Sequence, residues 1–447
     1  MPNSLERQFV ERLDVVSWGR VVRRPQRVAR PFFRDELSKM IGEPAGETKL
    51  AIGLRRSYGD SCLNSTGAII DATGLDRFIA FDSRSGRLRA EAGMSLSEVL
   101  RLVVPKGWFL PTTPGTRFVT LGGAVANDVH GKNHHRAGTF GANVRGLGLQ
   151  RSDGQRLTLS AAVQPELFEA TIGGLGLTGV IEWVEVQLVP IRSAYLDVEI
   201  LPYDNLDAFW QIAKDSAAEY EHTVAWIDCL SRGVRQGRGV FTRGNWANDG
   251  RFLIHDNRTL KTVPIDLPAI ILNKISVAAF NELYYALHRL KRKKAWQHYS
   301  TFFYPLDSIL NWNRLYGRRG MLQYQCAIPW GDESAVMRAL LHEIVCSGAA
   351  SFLAVLKTFG DLASPGMLSF PRPGATLALD FPNRGEDTLA LMGRLDAIVS
   401  EANGALYPAK DGRMPPDMFK RSYPRWEDFA AQKDPLMDSD FWRRVAQ

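Results

Sequence analysis

The sequence predicts an α+β protein of two domains, on three observations. Its 447 residues, at about 100–200 per domain, point to two or three units with substantial cores. From about Leu50 to Val189 short strand-like runs alternate with helix-like ones between glycines, whereas about Arg192 to Asn403 is richer in aromatic strands. The composition is 45% hydrophobic, 10% aromatic and 23% charged, which suits a globular chain and excludes a disordered or fibrous one.

In chain order, Lys49 to Ile52, Ala68 to Asp71 and Arg87 to Ala92 read as strands. Leu96, Val99, Leu100 and Val103 recur at helical spacing behind Ser95, a suitable N-cap. Pro165 to Ile172 reads as a helix, and Val180 to Val189 alternates like a half-buried strand. In the second region, strands are expected at Thr223 to Leu230, Phe352 to Lys357 and Thr376 to Phe381, and a helix at Glu333 to Val345. The helical stretch Trp426 to Gln447 carries aromatics that need a surface, and we expect it to pack on the first region. The first domain is then discontinuous, residues 1–190 plus 404–447, and the second covers 191–403.

Charge and cysteine usage narrow the function classes. The net charge of +7 is mild for this length, and a nucleic-acid binder would concentrate its cations, so no nucleic-acid partner is expected. The four cysteines are far apart and none forms a C-x-x-C pair, which argues against a disulfide scaffold or a metal site. The opening MPNSLERQFVERLD carries charges where a signal peptide needs an apolar core, and Ile344 to Leu356 falls short of the ~20 residues of a spanning helix. A soluble or peripheral protein is expected. The stretch Ile265 to Gln297 has two readings: a segment lying on anionic lipid, or a buried helix followed by a solvated basic loop.

Glycine loops carry the chemistry. Gly174 to Gly179 matches G-x-G-x-x-G, but that dinucleotide fingerprint needs a strand before it and a helix after it. Here the order is inverted, so a nicotinamide site is rejected. Three other loops stand together: Gly53 to Asp60; Pro114 to Thr116 with Thr120 to Ala124; and Asn127 to His135. Successive backbone N–H groups in such turns hold anions and suit a pyrophosphate.

In order and wording these loops resemble the FAD-binding domain of the vanillyl-alcohol-oxidase superfamily. GLRRSYGD, PGTRFVTLGGAVANDVHGKNHHRAGTFG and TIGGLGLTGVI resemble its decaprenylphosphoryl-ribose 2-oxidase family closely. The likeness continues through Trp226 in AWID, YPLDSILNWNR, Leu322 to Gln325, FLAVLKTFG, Leu379 to Pro382, LYPAKDGR and Asp434-Pro435. The resemblance implies a two-domain flavoprotein with an FAD-binding domain and an antiparallel-sheet substrate domain. FAD would be lined by Gly53, Leu54, Arg55, Arg56, Ser57, Tyr58, Gly59, Asp60, Ser61, Gly115, Thr120, Leu121, Gly122, Gly123, Asn127, Asp128, Val129, His130, Ile181 and Tyr407. Many superfamily members attach the flavin through a histidine at the position held here by Arg56, so non-covalent FAD is expected.

Oxidising a secondary alcohol moves a hydride to the flavin while a base takes the hydroxyl proton, a task a desolvated lysine can perform. By resemblance Lys410 is the contact to the reacting hydroxyl, with His130 beside it. Trp226, Gln323, Gln325, Lys357 and Lys410 match the substrate pocket: two amides on one strand face suit sugar hydroxyls, and Lys357 suits a phosphate. Phe352, Leu353 and Phe359 are expected in the core. This chain departs from the family at Ala378, where others carry a cysteine, and at Phe303 and Ile309.

The implied reaction is oxidation of the 2-hydroxyl of a polyprenyl-phosphoryl-β-D-ribose, with a quinone or other electron acceptor and a partner keto-reductase. Peripheral membrane contact is expected with it, on a cytoplasmic, inner-membrane or envelope enzyme. A soluble aldonolactone or alditol oxidase on the same fold is the alternative enzyme, and a non-catalytic binding module the alternative class. Acid precipitation tests the cofactor's attachment: the yellow colour is expected in the supernatant, and colour held in the pellet would overturn non-covalent binding.

Overall fold

The computed structural model describes residues 7–249, 261–268, 271–290 and 293–446. Three sheets organise it. A four-stranded sheet runs in the order Val10–Arg12, Gln26–Ala29, Ala68–Asp71, Lys49–Ile52, its first pair antiparallel and the other two parallel. A five-stranded antiparallel sheet runs Phe78–Asp82, Arg87–Glu91, Val180–Gln187, Val144–Gln150, Arg156–Leu159. The third, eight-stranded and antiparallel, runs Lys293–His298, Tyr195–Tyr203, Gly239–Trp246, His222–Ile227, Ala354–Phe359, Gly374–Pro382, Met321–Pro329, Ala405–Leu406.

Local sequence explains these elements. Ser95 caps the Leu96–Val103 helix by accepting from Glu98 N at 3.1 Å, and Leu96, Val99, Leu100 and Val103 are its buried stripe. Val180–Gln187 alternates buried and half-buried residues; the chain then leaves the sheet, and Val189–Pro190 pairs with Trp108–Phe109. The helix Pro165–Thr171 does precede the 174–179 glycines, and a strand follows them. At Gly179 φ is +145°, and a Cβ would lie 2.7 Å from Gln150 O, so this glycine serves a close crossing of chain.

Two strands differ from expectation at their ends. The ladder begins at Ala354, not Phe352, because the Ser351 hydroxyl donates to Leu353 O (2.8 Å) and accepts from Asp380 N (3.1 Å), replacing a backbone pair. The strand expected to reach Leu230 stops at Ile227, where Asp228 turns the chain by accepting from Leu230 N. The tail forms two helices, Trp426–Gln432 and Asp440–Val445, rather than one. Pro435 cannot continue the first, and the Asp434 carboxylate accepts from Leu436 N and Ser152 N.

That tail ties the sheets together. Ala405–Leu406 adds an edge strand beside Met321–Pro329, after which backbone bonds join the chain to the first region at Asp434 N to Leu177 O, Lys49 N to Leu436 O and Asp440 N to Leu63 O. Tyr58 N donates to Ala409 O at 2.9 Å. A Cβ on Gly59 would meet Asp411 O at 1.5 Å, so only glycine admits this approach. Arg444 clamps the crossing, with bonds to both oxygens of Asp60 (3.0 and 2.7 Å) and to Asp411 (3.1 Å). Among the described residues no helix is long and apolar enough to cross a membrane.

The clamp predicts a stability change. Arg444→Ala strands the buried Asp60 carboxylate and removes one of the bonds to Asp411, and should cost about 3–5 kcal/mol in denaturant unfolding. Arg444→Lys should recover only part of it, because an ammonium cannot reproduce the fork.

Candidate active site

Between the two smaller sheets and the large one lies a cavity of about 780 Å³. Its first end is loop backbone. The loop after Lys49–Ile52 brings Gly53 to Tyr58 to the wall; Gly115, Thr120, Gly122 and Gly123 form a second stretch; Asn127, Val129 and His130 a third. Thr120 caps its own short helix by accepting from Gly123 N at 3.1 Å, which exposes the glycine backbone there. Ile181 and Tyr407 complete this end. The Tyr407 hydroxyl donates to Asn127 O at 2.8 Å, and its ring stacks on Phe370 at 4.6 Å.

Four of the expected cofactor residues do not line the cavity. Gly59 is occupied by the crossing against Asp411, and the Asp60 side chain by Arg444. Leu121 is fully buried in the apolar core. Asp128 turns away to hold its own loop, accepting from Gly141 N (2.8 Å) and Ser369 Oγ (2.5 Å). The remaining expected residues, Ser61 included, are in the wall.

The other end is built by strand register. Gln323 opposes Asp380, Gln325 opposes Ala378, and Thr376 opposes Lys357, so three adjacent strands present one polar face. Gln323 Nε2 donates to Asp380 at 2.5 Å. The two ring nitrogens of His130 are met by Lys357 Nζ at 3.2 Å and the Gln325 amide at 3.1 Å, which holds the ring across the junction. Lys410 enters from the tail loop with Nζ 4.0 Å from the centre of the Tyr58 ring. Trp226 lines the wall, donates through Nε1 to Phe352 O at 3.0 Å and lies against Tyr284.

Phe352 and Leu353, expected in the core, instead line the cavity, because they precede the ladder and turn toward the space beneath it. Phe359 is in the core, edge-on to His130. Ala378, Phe303 and Ile309, where the chain departs from the family pattern, all face the cavity. Asp380, Lys132 and the helix residues Phe280, Tyr284 and His288 are wall residues that sequence reasoning gave no role. A lone carboxylate in the apolar run LALDFP, two residues from Ala378, was the available signal for Asp380.

Burial sets the electrostatics. It pushes Lys357 down to about 7, helped by the charge of Lys410, and Lys132 down to about 7, helped by Lys357. Lys410 is likewise lowered by burial, with Asp380 opposing the shift; burial raises Asp380, with Gln323 and Lys410 opposing. Burial and then Lys357 hold His130 well below the usual histidine range, so its imidazole is neutral.

These residues fit a flavin dinucleotide. The volume is in the range of ligand pockets, about 300–1,000 Å³. Ser61 Oγ and Asn127 Oδ1 are buried with no partner among the described residues, and both belong to the wall. Arg55, Arg56, Lys132, Lys357 and Lys410 face only Asp307 and Asp380 among the described wall residues, an excess of cations that suits phosphates. Arg56, 4.3 Å above the Trp18 ring, has no nucleophilic imidazole.

Comparison with known proteins agrees with this geometry. Residues 25–160 match an FAD binding domain family. The chain is 34% identical to decaprenylphosphoryl-beta-D-ribose oxidase of Mycolicibacterium smegmatis, over 96% of this chain and 97% of that protein. It is 32% identical to an uncharacterized protein of Streptomyces coelicolor over 79% of this chain and all of that one. An L-gulono-1,4-lactone dehydrogenase of Mycobacterium tuberculosis shares 29% identity over 40% of this chain and 41% of its own. Similarity that runs from one end of both chains to the other places the protein in a family: it belongs to the decaprenylphosphoryl-beta-D-ribose oxidases and is an FAD-dependent oxidoreductase.

Proposed function

We propose that this chain oxidises the 2-hydroxyl of a polyprenyl-phosphoryl-β-D-ribose to the 2-keto sugar, the first half of an epimerisation toward the arabinose donor. One observation carries the reading: the polar face of Gln323, Asp380, Gln325 and Lys357 meets Lys410 at the end of a cavity that suits FAD. The name of the mycolicibacterial relative supports the substrate class. Residues 1–190 with 404–447 form the FAD-binding domain in this reading, and 191–403 the substrate domain. A quinone or other acceptor reoxidises the enzyme, and a partner reductase consumes the keto sugar.

Bound FAD supplies the acceptor for the carbinol hydride. Lys410 removes the hydroxyl proton, which requires its neutral amine; burial makes that form accessible nearer neutrality than an exposed lysine allows. Asp380 positions Lys410 and carries the countercharge once the proton has arrived. The amides of Gln323 and Gln325 orient the sugar hydroxyls, and His130, neutral and held on both sides, fixes the ring edge next to them. The Nζ of Lys357 hydrogen-bonds the phosphate. Trp226, Phe352 and Leu353 exclude water from the reacting carbon.

Anaerobic addition of a short-chain prenyl-phosphoryl ribose should bleach the flavin's blue absorbance. Bleaching by lactones or alditols but not by this substrate would overturn the reading. Lys410→Ala should lower turnover by about 10²–10⁴-fold with FAD still bound, the contribution expected of a general base. Unchanged kcat would remove Lys410 from the chemistry.

The pH profile tests the pair. A lysine base works deprotonated, so kcat/KM should rise with pH and level off below the ordinary lysine range near ~10.4. Asp380→Asn removes the anion that holds Lys410 up, so the rising limb should move to lower pH. A limb that stays in place or moves up would show that Asp380 does not act through Lys410.

A further inference from the structure

We infer that the outward face of the Lys274–Arg289 helix docks on an anionic lipid bilayer. The polarity of this helix is inverted relative to an ordinary surface helix. Its buried side holds Val277, Asn281 and Tyr285, and two of these are polar: Asn281 donates to Asp228 at 2.7 Å and the Tyr285 hydroxyl to Asp204 at 2.6 Å. Its outward side is a row at every fourth residue, Ile271, Ile275, Ala279, Leu283 and Leu287, extended by Leu290. Ile275 and Leu290 are each 82% exposed, and Leu283 and Leu287 60%. An amphipathic helix of a soluble protein turns such a row toward the core, and a continuous exposed apolar strip marks an interaction surface.

Charge selects the occupant. Lys274 and Arg289 are exposed at the two ends of the helix. Lys294 is solvent-facing and paired with Glu199 at 2.9 Å, and Trp296 beyond it is 59% exposed on the edge strand of the large sheet. Glu282 is the helix's acidic residue, and Arg238 pairs with it at 2.5 Å. An apolar strip bordered by cations and an aromatic fits the boundary between acyl chains and anionic headgroups. Two copies of the chain meeting through this face would set cation against cation.

The helix is also a wall of the cavity. Phe280, Tyr284 and His288, on its flank, line the space beneath it, with Phe280 packed edge-on against Phe352. Docking through the outer row therefore sets the apolar end of the cavity at the level of the lipid. The assignment rests on the surface itself and stands whichever sugar the enzyme oxidises.

The test uses the FAD-loaded full chain, sedimented with vesicles of phosphatidylcholine alone or mixed with phosphatidylglycerol. Binding is expected to the anionic vesicles, weakened by added salt, and reduced about tenfold or more in the L283E/L287E double variant. Neither leucine lines the cavity, so the variant should keep wild-type melting, FAD absorbance and bleaching by a soluble short-chain substrate. Wild-type protein left in the supernatant would overturn the inference. So would equal binding by the variant, or self-association in solution that the same substitutions abolish, which would assign the face to a second copy.

Discussion

The active site depends on one crossing of chain. The loop at Gly59 and the tail loop at Asp411 approach so closely that no side chain fits between them, and Arg444 grips a carboxylate from each. This contact sets Tyr58 from the glycine loops under Lys410 from the tail, so the glycine-loop wall and the Lys410 amine are positioned together. Without it the loops would still form their turns and the large sheet its ladder, but Lys410 would have no fixed height over the cavity.

The crossing also explains how unfavourable charges are held. Lys410, Lys357 and Lys132 stand in a largely dry wall with Asp380 as the nearby carboxylate at that end, an arrangement that disfavours the ammonium forms. Anionic ligands supply the missing countercharge, and binding to the folded state alone adds stability by mass action. That imbalance suits the phosphates of the cofactor and, in the proposed reaction, a lysine that gives up its proton readily.

Much of this was legible in the sequence, and what was not has physical reasons. Lys410, His130 and the glutamines sit in loops and strands whose wording carried the family pattern, and periodicity located the Leu96–Val103 helix with its cap. Asp380 escaped because its meaning lies in the cross-strand register with Gln323, which one strand alone does not disclose. Gly59, Asp60, Leu121 and Asp128 share the cofactor loops, yet loop membership does not say which way a side chain turns. The Lys274–Arg289 helix shows the same limit at larger scale: its spacing reveals an apolar row, but not that the row faces outward.

The crossing has a consequence in time. Asp60 and its clamp Arg444 are 384 residues apart. At translation rates of about 5–20 residues per second, roughly 20–80 s pass between the synthesis of the two. The glycine loops are thus made long before the residue that locks them to the tail, and through that interval the nascent chain has its glycine-loop wall without Lys410 fixed beside it. The late arrival of the clamp makes the joining of the glycine loops to the Lys410 loop a final event in the synthesis of the chain.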